Sequence, residues 1–488
     1  MTDAQTDYLI IGAGAVGLAF ADTLLDEDPD CRITIVDKHA KPGGHWNDAY
    51  GFVALHQPSA FYGVNSMEFG DDVPDDHGPN KGHFPLASGT EVSAYFTRLM
   101  NRRFLPSGRV DYRPLCEVIE VADGKGRVRS ILSGTETSIE IRRKTVDATF
   151  YKTSVPSTHK RPFAVADGVD IAIPGDLTDL WQRADDLPAH YCILGGGKTA
   201  MDVGVWLLAA GIEPSAIQWV RPRDSWLINR RYTQPGPDHF ADIVANQIAQ
   251  LDAAADAADG DAMFAELGDG GYMLRIDETV TPTMFHYATI SQGEVDELRR
   301  ITNVIRHGRV TAIERGRLVF GDTHVSMPDH TLYIDCTASA VPFDDIREHG
   351  PQFRGDTIML QPIQVPLVTL SAALTAFIEV HYDDDARKNA LAAPAPLTDT
   401  PNTYPLGLLG NLTNRGKWSQ EPRIAAWLSQ ARLDPTGRTM ATMMAEGDTR
   451  LSAIGGMGPA IAKGMPGLKR LAVAAQRQHE KDVARCCD

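Results

Sequence analysis

Apolar and polar positions along the chain fall into strand and helix periods, and the changes of period mark the elements. DYLII (Asp7–Ile11) is a short β-rich run. Val16–Leu25 carries its apolar residues on one helical face, and ITIVD (Ile33–Asp37) reads as a second buried strand. The same order returns at His190–Val220, as YCIL, a GGG turn, a helix over Thr199–Ala210 and then IQWV. Val110–Arg143 alternates like sheet, TLYIDCTAS (Thr331–Ser339) is a strand running into small residues, and LSAALTAFIEVHY after Gln361 is helical. Ser66–Pro85, rich in Asp, Gly and Pro, reads as a loop over a site. Ala253–Gly270 reads as an exposed helix or insertion, and Ile454–Pro466 as a mobile connector. No short repeat is present, which excludes a solenoid. Two βαβ openings predict an α/β fold with two Rossmann-like domains.

The turns carry the first chemistry. IIGAGAVGLAF places Gly12, Gly14 and Gly17 in G-x-G-x-x-G spacing, for a tight turn, a close backbone approach to pyrophosphate and close helix–strand packing. The helix behind it offers free N–H groups and a positive dipole end to an anion. Asp37, about 20 residues further on, is where a carboxylate accepts ribose hydroxyls. In ILGGGKTAMD, Gly195, Gly197 and Ala200 take the G-x-G-x-x-A places. Lys198-Thr199 suggests a phosphate-binding P-loop, but Cys192 stands where that motif needs glycine. The following strand runs into Arg221-Pro-Arg223, and two guanidiniums there favour a 2′-phosphate, hence NADPH over NADH. Surface ion pairs are the alternative use of these arginines.

Past the first turn come PGGHW (Pro42–Trp46) and GVNSMEF (Gly63–Phe69). On these residues the chain resembles the flavin-containing monooxygenase and Baeyer–Villiger monooxygenase group. There a first GxGxxG holds FAD, a GG-x-W segment follows, and an S-M-E-Y segment runs beside the flavin. The resemblance implies an FAD site that includes Gly12, Gly14, Gly17, Asp37, Lys38, Gly44, His45 and Trp46. It implies an NADPH site that includes Gly195, Gly197, Lys198, Thr199, Ala200, Arg221 and Arg223, and RPRDSWLINR resembles the group's arginines followed by tryptophan. It stops at this scaffold. The F-x-G-x-x-x-H-x-x-x-W fingerprint is missing, since THKRPFAVADGVDIAIPGDL has His159 and Phe163 without the spacing. DATFY (Asp147–Tyr151) and IDCTAS (Ile334–Ser339) stand where the group carries A-T-G.

Composition narrows the partners. Lys plus Arg number 47 against 64 Asp plus Glu, a net charge of −17 that matches neither nucleic acid nor an anionic membrane. The six cysteines make no CxxC pair, which suits a reducing cytoplasm and argues against a redox disulfide mechanism; Cys486-Cys487 lies in a polar tail with no chemistry assigned. The acidic MTDAQTD start does not read as an export signal, and no apolar run approaches the ~20 residues of a membrane span. A cytoplasmic monomer or homodimer acting on a small molecule, with no metal site, is expected.

By position, the loop from His45 to Ser66 faces the flavin. Asn65 is placed to hydrogen-bond bound oxygen or the nicotinamide amide, and His56 to exchange protons near neutral pH. Arg230 and Arg231 are candidates to stabilise an anionic oxygen adduct, to bind the 2′-phosphate, or to stay solvated. Thr283–Val295 is a candidate substrate lining or buried core. The expected division is an FAD domain from 1–155 and 335–488, the latter including a helical C-terminal region, a linker at 156–184, and an NADPH domain inserted at 185–334. The function expected is an FAD-dependent, NADPH-linked monooxygenase using molecular oxygen on a small organic substrate. A reductase without oxygen insertion and a flavin-bound sensor or assembly subunit are the alternatives.

Overall fold

The apolar run at the head of the chain becomes the strand Ala4–Ile11, inside an eight-stranded sheet. The computed structural model describes residues 4–71, 73–182, 187–341 and 350–486, with side chains as far as 477, so the Cys486-Cys487 pair lies outside the described side chains. The sheet order is Phe353–Arg354, Thr357–Met359, Glu136–Asp147, Ala4–Ile11, Ile33–Val36, Val110–Arg113, and Cys116–Ala122 with Lys125–Ser130 extends Glu136–Asp147. The central pairings are parallel, with Tyr8 beside Ile33 and Ile10 beside Val146. A parallel sheet must be covered, and the helices Ala15–Glu27 and Val368–His381 do so by packing Leu18, Phe20 and Leu24 with Leu370, Leu374 and Ile378.

The chain leaves this sheet after Asp147 and rejoins it at Phe353. Between lies a second, five-stranded parallel sheet in the order Asn303–Ile305, Ile217–Val220, His190–Leu194, Thr331–Asp335, Ile171–Ala172. The expected linker 156–184 is corrected here. Its Ile171–Ala172 pairs with Thr331–Asp335, and its Ala164–Val165 joins a small sheet beside Ala312–Glu314. Two-residue strands between prolines carry no readable period, so only their partners define them.

Two further expectations fail on packing. Ala253 and Ala254 are fully buried, with Phe264, against Tyr404, Leu468 and Leu471, so Ala253–Gly270 puts one face into the core and leaves the other exposed, rather than standing off as an insertion. Ile454–Pro466 is no connector: a 3₁₀ stretch ends at Gly456 and the helix Met457–Cys486 follows. A β-carbon on Gly464 or Gly467 would overlap the carbonyl oxygen of Leu251 or Ala254, so these glycines let that helix lie directly on Phe240–Asp256. No helix of the described residues is long and apolar enough to cross a membrane.

Candidate functional site

The first turn is built by close backbone approach. Gly12 (φ +104°) leaves the strand with its N–H on Val36 O at 2.8 Å. The Gly43–Gly44 loop lies across the turn, with Gly43 N–H on Ala13 O at 2.8 Å, and a β-carbon on Gly44 would come within 2.9 Å of Gly14 Cα. Asp37, buried at the end of the second strand, accepts from Ala13 N–H at 2.5 Å and His39 N–H at 2.7 Å, and its Oδ1 lies 2.8 Å from His39 Nδ1. A carboxylate has about four acceptor sites, so one remains for a ribose hydroxyl. Lys38 is exposed beside it.

Beyond the turn, the His45 and Trp46 rings stack at 5.3 Å, and Trp46 donates its indole N–H to Tyr62 Oη at 2.7 Å. Burial pulls the His45 pKa down to about 4. Asn65 Oδ1 is buried with no partner among the described residues.

The second turn repeats the arrangement. Trp219 Nε1–H donates to Gly195 O at 2.8 Å, Ala200 is fully buried, and nothing lies within 4 Å of a β-carbon built on Gly197. Both turns therefore fit a dinucleotide pyrophosphate, because no side chain occupies Gly14 or Gly197 and Asp37 keeps an acceptor.

The charged residues are distributed differently from the expectation. Lys198 opens the helix Lys198–Ala209, but its ammonium is committed to Asp202, one turn on, and to Glu294 Oε1 at 3.2 Å. Burial opposes the Lys198 charge, yet these carboxylates outweigh it and hold its pKa above the ordinary lysine value. Arg230 has no exposed surface, so the solvated alternative is excluded for it. It donates to Glu294 Oε2 at 2.5 Å, Asn80 Oδ1 at 3.0 Å, His56 O at 2.9 Å and Thr289 O at 3.3 Å. Burial opposes ionisation of Glu294, but Lys198 and Arg230 hold its pKa well below the usual range. His56 is pulled down to about 4 by burial and then by Lys198, so it is neutral at pH 7 and does not exchange protons near neutrality as expected. Arg231 is largely exposed and pairs with Asp242 at 3.4 Å.

This cluster joins the two sheets' domains. Tyr50 donates to Asp202 Oδ2 at 2.7 Å, and Phe52 stacks on Trp206 at 4.9 Å. The loop Ser66–Pro85 is held from the other side, by Ser291 Oγ–H on Pro79 O at 2.7 Å and by Phe84 N–H on Gln234 Oε1 at 2.8 Å. Asp202 was legible as the i+4 partner of Lys198 and Glu294 as the capping-box partner of Ser291, whereas the long-range contacts of Glu294, Asn80 and Tyr50 had no local signal.

The two strand-end arginines also differ from each other. Arg221 is buried, stacked on Trp219 at 4.7 Å and paired with Asp224 at 3.1 Å; Asp224 in turn holds Arg306 at 2.9 Å. A water-sized cavity of about 10 Å³ adjoins Arg221, beside Gly196. Arg223 is exposed. Within Thr283–Val295, Tyr287 adopts φ +56° where Met284–Ile290 slips register against Ser225–Asn229, and its hydroxyl meets Thr398 Oγ1 at 2.7 Å. The buried Tyr151 hydroxyl has no partner among the described residues.

Residues 10–67 match the family model described as an NAD(P)-binding Rossmann-like domain. An uncharacterized protein of Mycobacterium tuberculosis, Rv2000, is 41% identical over 430 residues, 88% of this chain and 78% of that one. The FAD-dependent monooxygenase resA of Aspergillus sclerotiorum is 27% identical over 221 residues, 44% of this chain and 36% of that one. Among solved structures, the polycyclic ketone monooxygenase of the fungus Thermothelomyces thermophila overlays with a TM-score of 0.47 at 13% identity, covering 95% of this chain and 88% of that one. Identity of 41% over most of both sequences establishes that the chain belongs to the family of the mycobacterial protein Rv2000.

Proposed function

We propose that this protein is an FAD-dependent, NADPH-linked oxidoreductase that oxygenates a small organic molecule, with the NADPH domain inserted into the FAD domain. The observation that carries the reading is the joining of the two glycine turns through one buried cluster. Tyr50, from the loop behind the first turn, hydrogen-bonds Asp202 of the helix that begins at the second. Bound FAD supplies the two-electron redox chemistry, with NADPH as its reductant.

The chain's own residues bind, orient and exclude water. Gly12, Gly14 and Gly17 seat the FAD pyrophosphate and Asp37 takes a ribose hydroxyl. Gly195, Gly197 and Ala200 seat the second pyrophosphate, and Arg223 takes the 2′-phosphate. Lys198 and Arg230 hold the domain contact rather than phosphate. The Tyr151 hydroxyl, without a partner among the described residues, is a donor available to a substrate oxygen.

One observation favours the reductase alternative, in which electrons pass to an acceptor without oxygen insertion. Arg230, the buried cation proposed for a charged oxygen adduct, is neutralised by Glu294. The test is purified yellow protein with NADPH and candidate substrates, followed by oxygen consumption and mass spectrometry. Oxygen uptake matched by an oxygenated product supports the monooxygenase, and uptake matched only by hydrogen peroxide selects the reductase. A colourless protein that takes up no FAD overturns both.

A further inference from the structure

Asn65 sits between two neighbours whose backbones are pinned. Val64 N–H donates to Tyr95 Oη at 3.0 Å, and Val64 O accepts from Arg432 Nε at 2.7 Å. On the other side, the Ser66 N–H and hydroxyl donate to Asp22 at 3.0 and 2.5 Å, and Arg103 Nε holds the same carboxylate at 2.7 Å. Tyr95 Oη–H closes the segment on Met67 O at 2.7 Å.

Arg432 does the widest part of this work from some 370 residues away. It reaches Ala60 O at 2.6 Å, also Tyr62 O, and Tyr95 Oη at 3.3 Å. It is 5% exposed, and every contact described for its guanidinium is an oxygen of a neutral group. Burying a cation on neutral oxygens is expensive, and what it secures is the path of residues 60–64. Tyr62 is fixed twice over, since its hydroxyl also receives the Trp46 indole N–H. Inside this held segment the Asn65 amide oxygen is buried and unmatched among the described residues. An unmade bond of that kind costs about 1–3 kcal/mol, and native structures keep such groups for a reason that can be named.

We propose that Arg432 is a positioning residue. By fixing the carbonyls of Ala60, Tyr62 and Val64, it holds the Asn65 carboxamide ready for an N–H donor of a bound ligand, of the imide or primary carboxamide type. This rests on the two-nucleotide reading, because FAD carries an imide N–H and NADPH a carboxamide.

The experiment is a double-substitution cycle on the full chain with R432Q, N65A and the pair. FAD affinity is read by titration of the apoprotein with flavin-fluorescence detection, and NADPH affinity by KM. Each single variant is expected to weaken one of the two at least tenfold, with the pair no more than about twofold worse than N65A alone, because both changes remove the same contact. Weakened FAD affinity identifies the imide as the donor, and a raised KM for NADPH at unchanged FAD affinity identifies the carboxamide. R432K, which keeps the charge with fewer donors, should recover part of the loss. Multiplying effects, or an N65A variant equal to wild type, overturn the inference while leaving FAD binding by the wild type intact. Failure of the wild type to take up FAD overturns the functional reading instead. If R432Q does not fold, the same cycle with R432K and with Y95F decides the matter.

Discussion

Arg230 donates to Glu294 at 2.5 Å with no surface of the arginine exposed, inside the contact between the loops of one domain and the sheet of the other. Glu294 also holds Lys198, and Arg230 also holds Asn80 and the carbonyl of His56. The two cations and the carboxylates of Asp202 and Glu294 balance, which is what permits their burial.

Removing one member leaves its partner charged and buried. R230M and E294Q should each lose about 3–5 kcal/mol of stability. The R230M/E294Q pair should lose clearly less than the sum of its single changes, because no charge is stranded. Urea unfolding of the four proteins measures the coupling, and additive losses would show that the pair does not act as a unit.

The histidines give a pH dependence with a definite sign. His45 and His56 titrate at about 4 in the folded protein, against an ordinary 6.5. Their folded pKa lies below the unfolded one, so between pH 6.5 and 4 the unfolded chain binds more protons. Their contribution is fully present above about pH 6.5 and is lost as pH falls toward 4, each steepening the curve by up to ~1.4 kcal/mol per pH unit. H56Q should flatten denaturant midpoints across that window and leave the pH–rate profile between 6 and 8 unchanged. A rate limb near pH 6.5 that disappears in H56Q would restore His56 as a proton carrier.

Arg221 and Arg223 should separate in coenzyme kinetics. R223A is expected to raise KM for NADPH about tenfold or more with little change for NADH, since it removes one phosphate contact. R221A should instead lower stability, because Asp224 loses a buried partner while Arg306 remains. Parallel KM and melting measurements on both variants check the assignment, and equal effects on the two coenzymes refute a 2′-phosphate role for Arg223.

The C-terminal helix offers a packing test. G464V should destabilise by roughly 1–3 kcal/mol through overlap with the Leu251 carbonyl. G416A has open space in the helix Tyr404–Ser419 and should gain about 0.5–1 kcal/mol from helix propensity. Thermal unfolding of both proteins checks the contrast.

Much of the architecture was legible in the chain. The strands Ala4–Ile11 and Ile33–Val36, the helix Ala15–Glu27 and their second-domain equivalents lie within a residue or two of the periods that announced them, apart from the earlier start of the first strand. Ile171–Ala172 was not legible, because a strand that short exists only by pairing with Thr331–Asp335. The burial of Ala253 and Ala254 was hidden as well, since alanine and glycine carry little hydropathy and declare a core only when another helix lies on them.

By itself, then, the sequence determined the two glycine turns, the acid at Asp37 and the family likeness. A turn is a local matter, decided by which residues tolerate a backbone angle or a close approach within a dozen positions. Tertiary structure alone decided which charges are free to act. Lys198 and Arg230 look available in the chain and are neutralised by Glu294, while Arg432, silent in the chain, grips the loop that carries Asn65. Apart from the i+4 contact of Lys198 with Asp202, the Coulomb energy and desolvation here depend on partners brought from tens to hundreds of residues away, which no local pattern encodes.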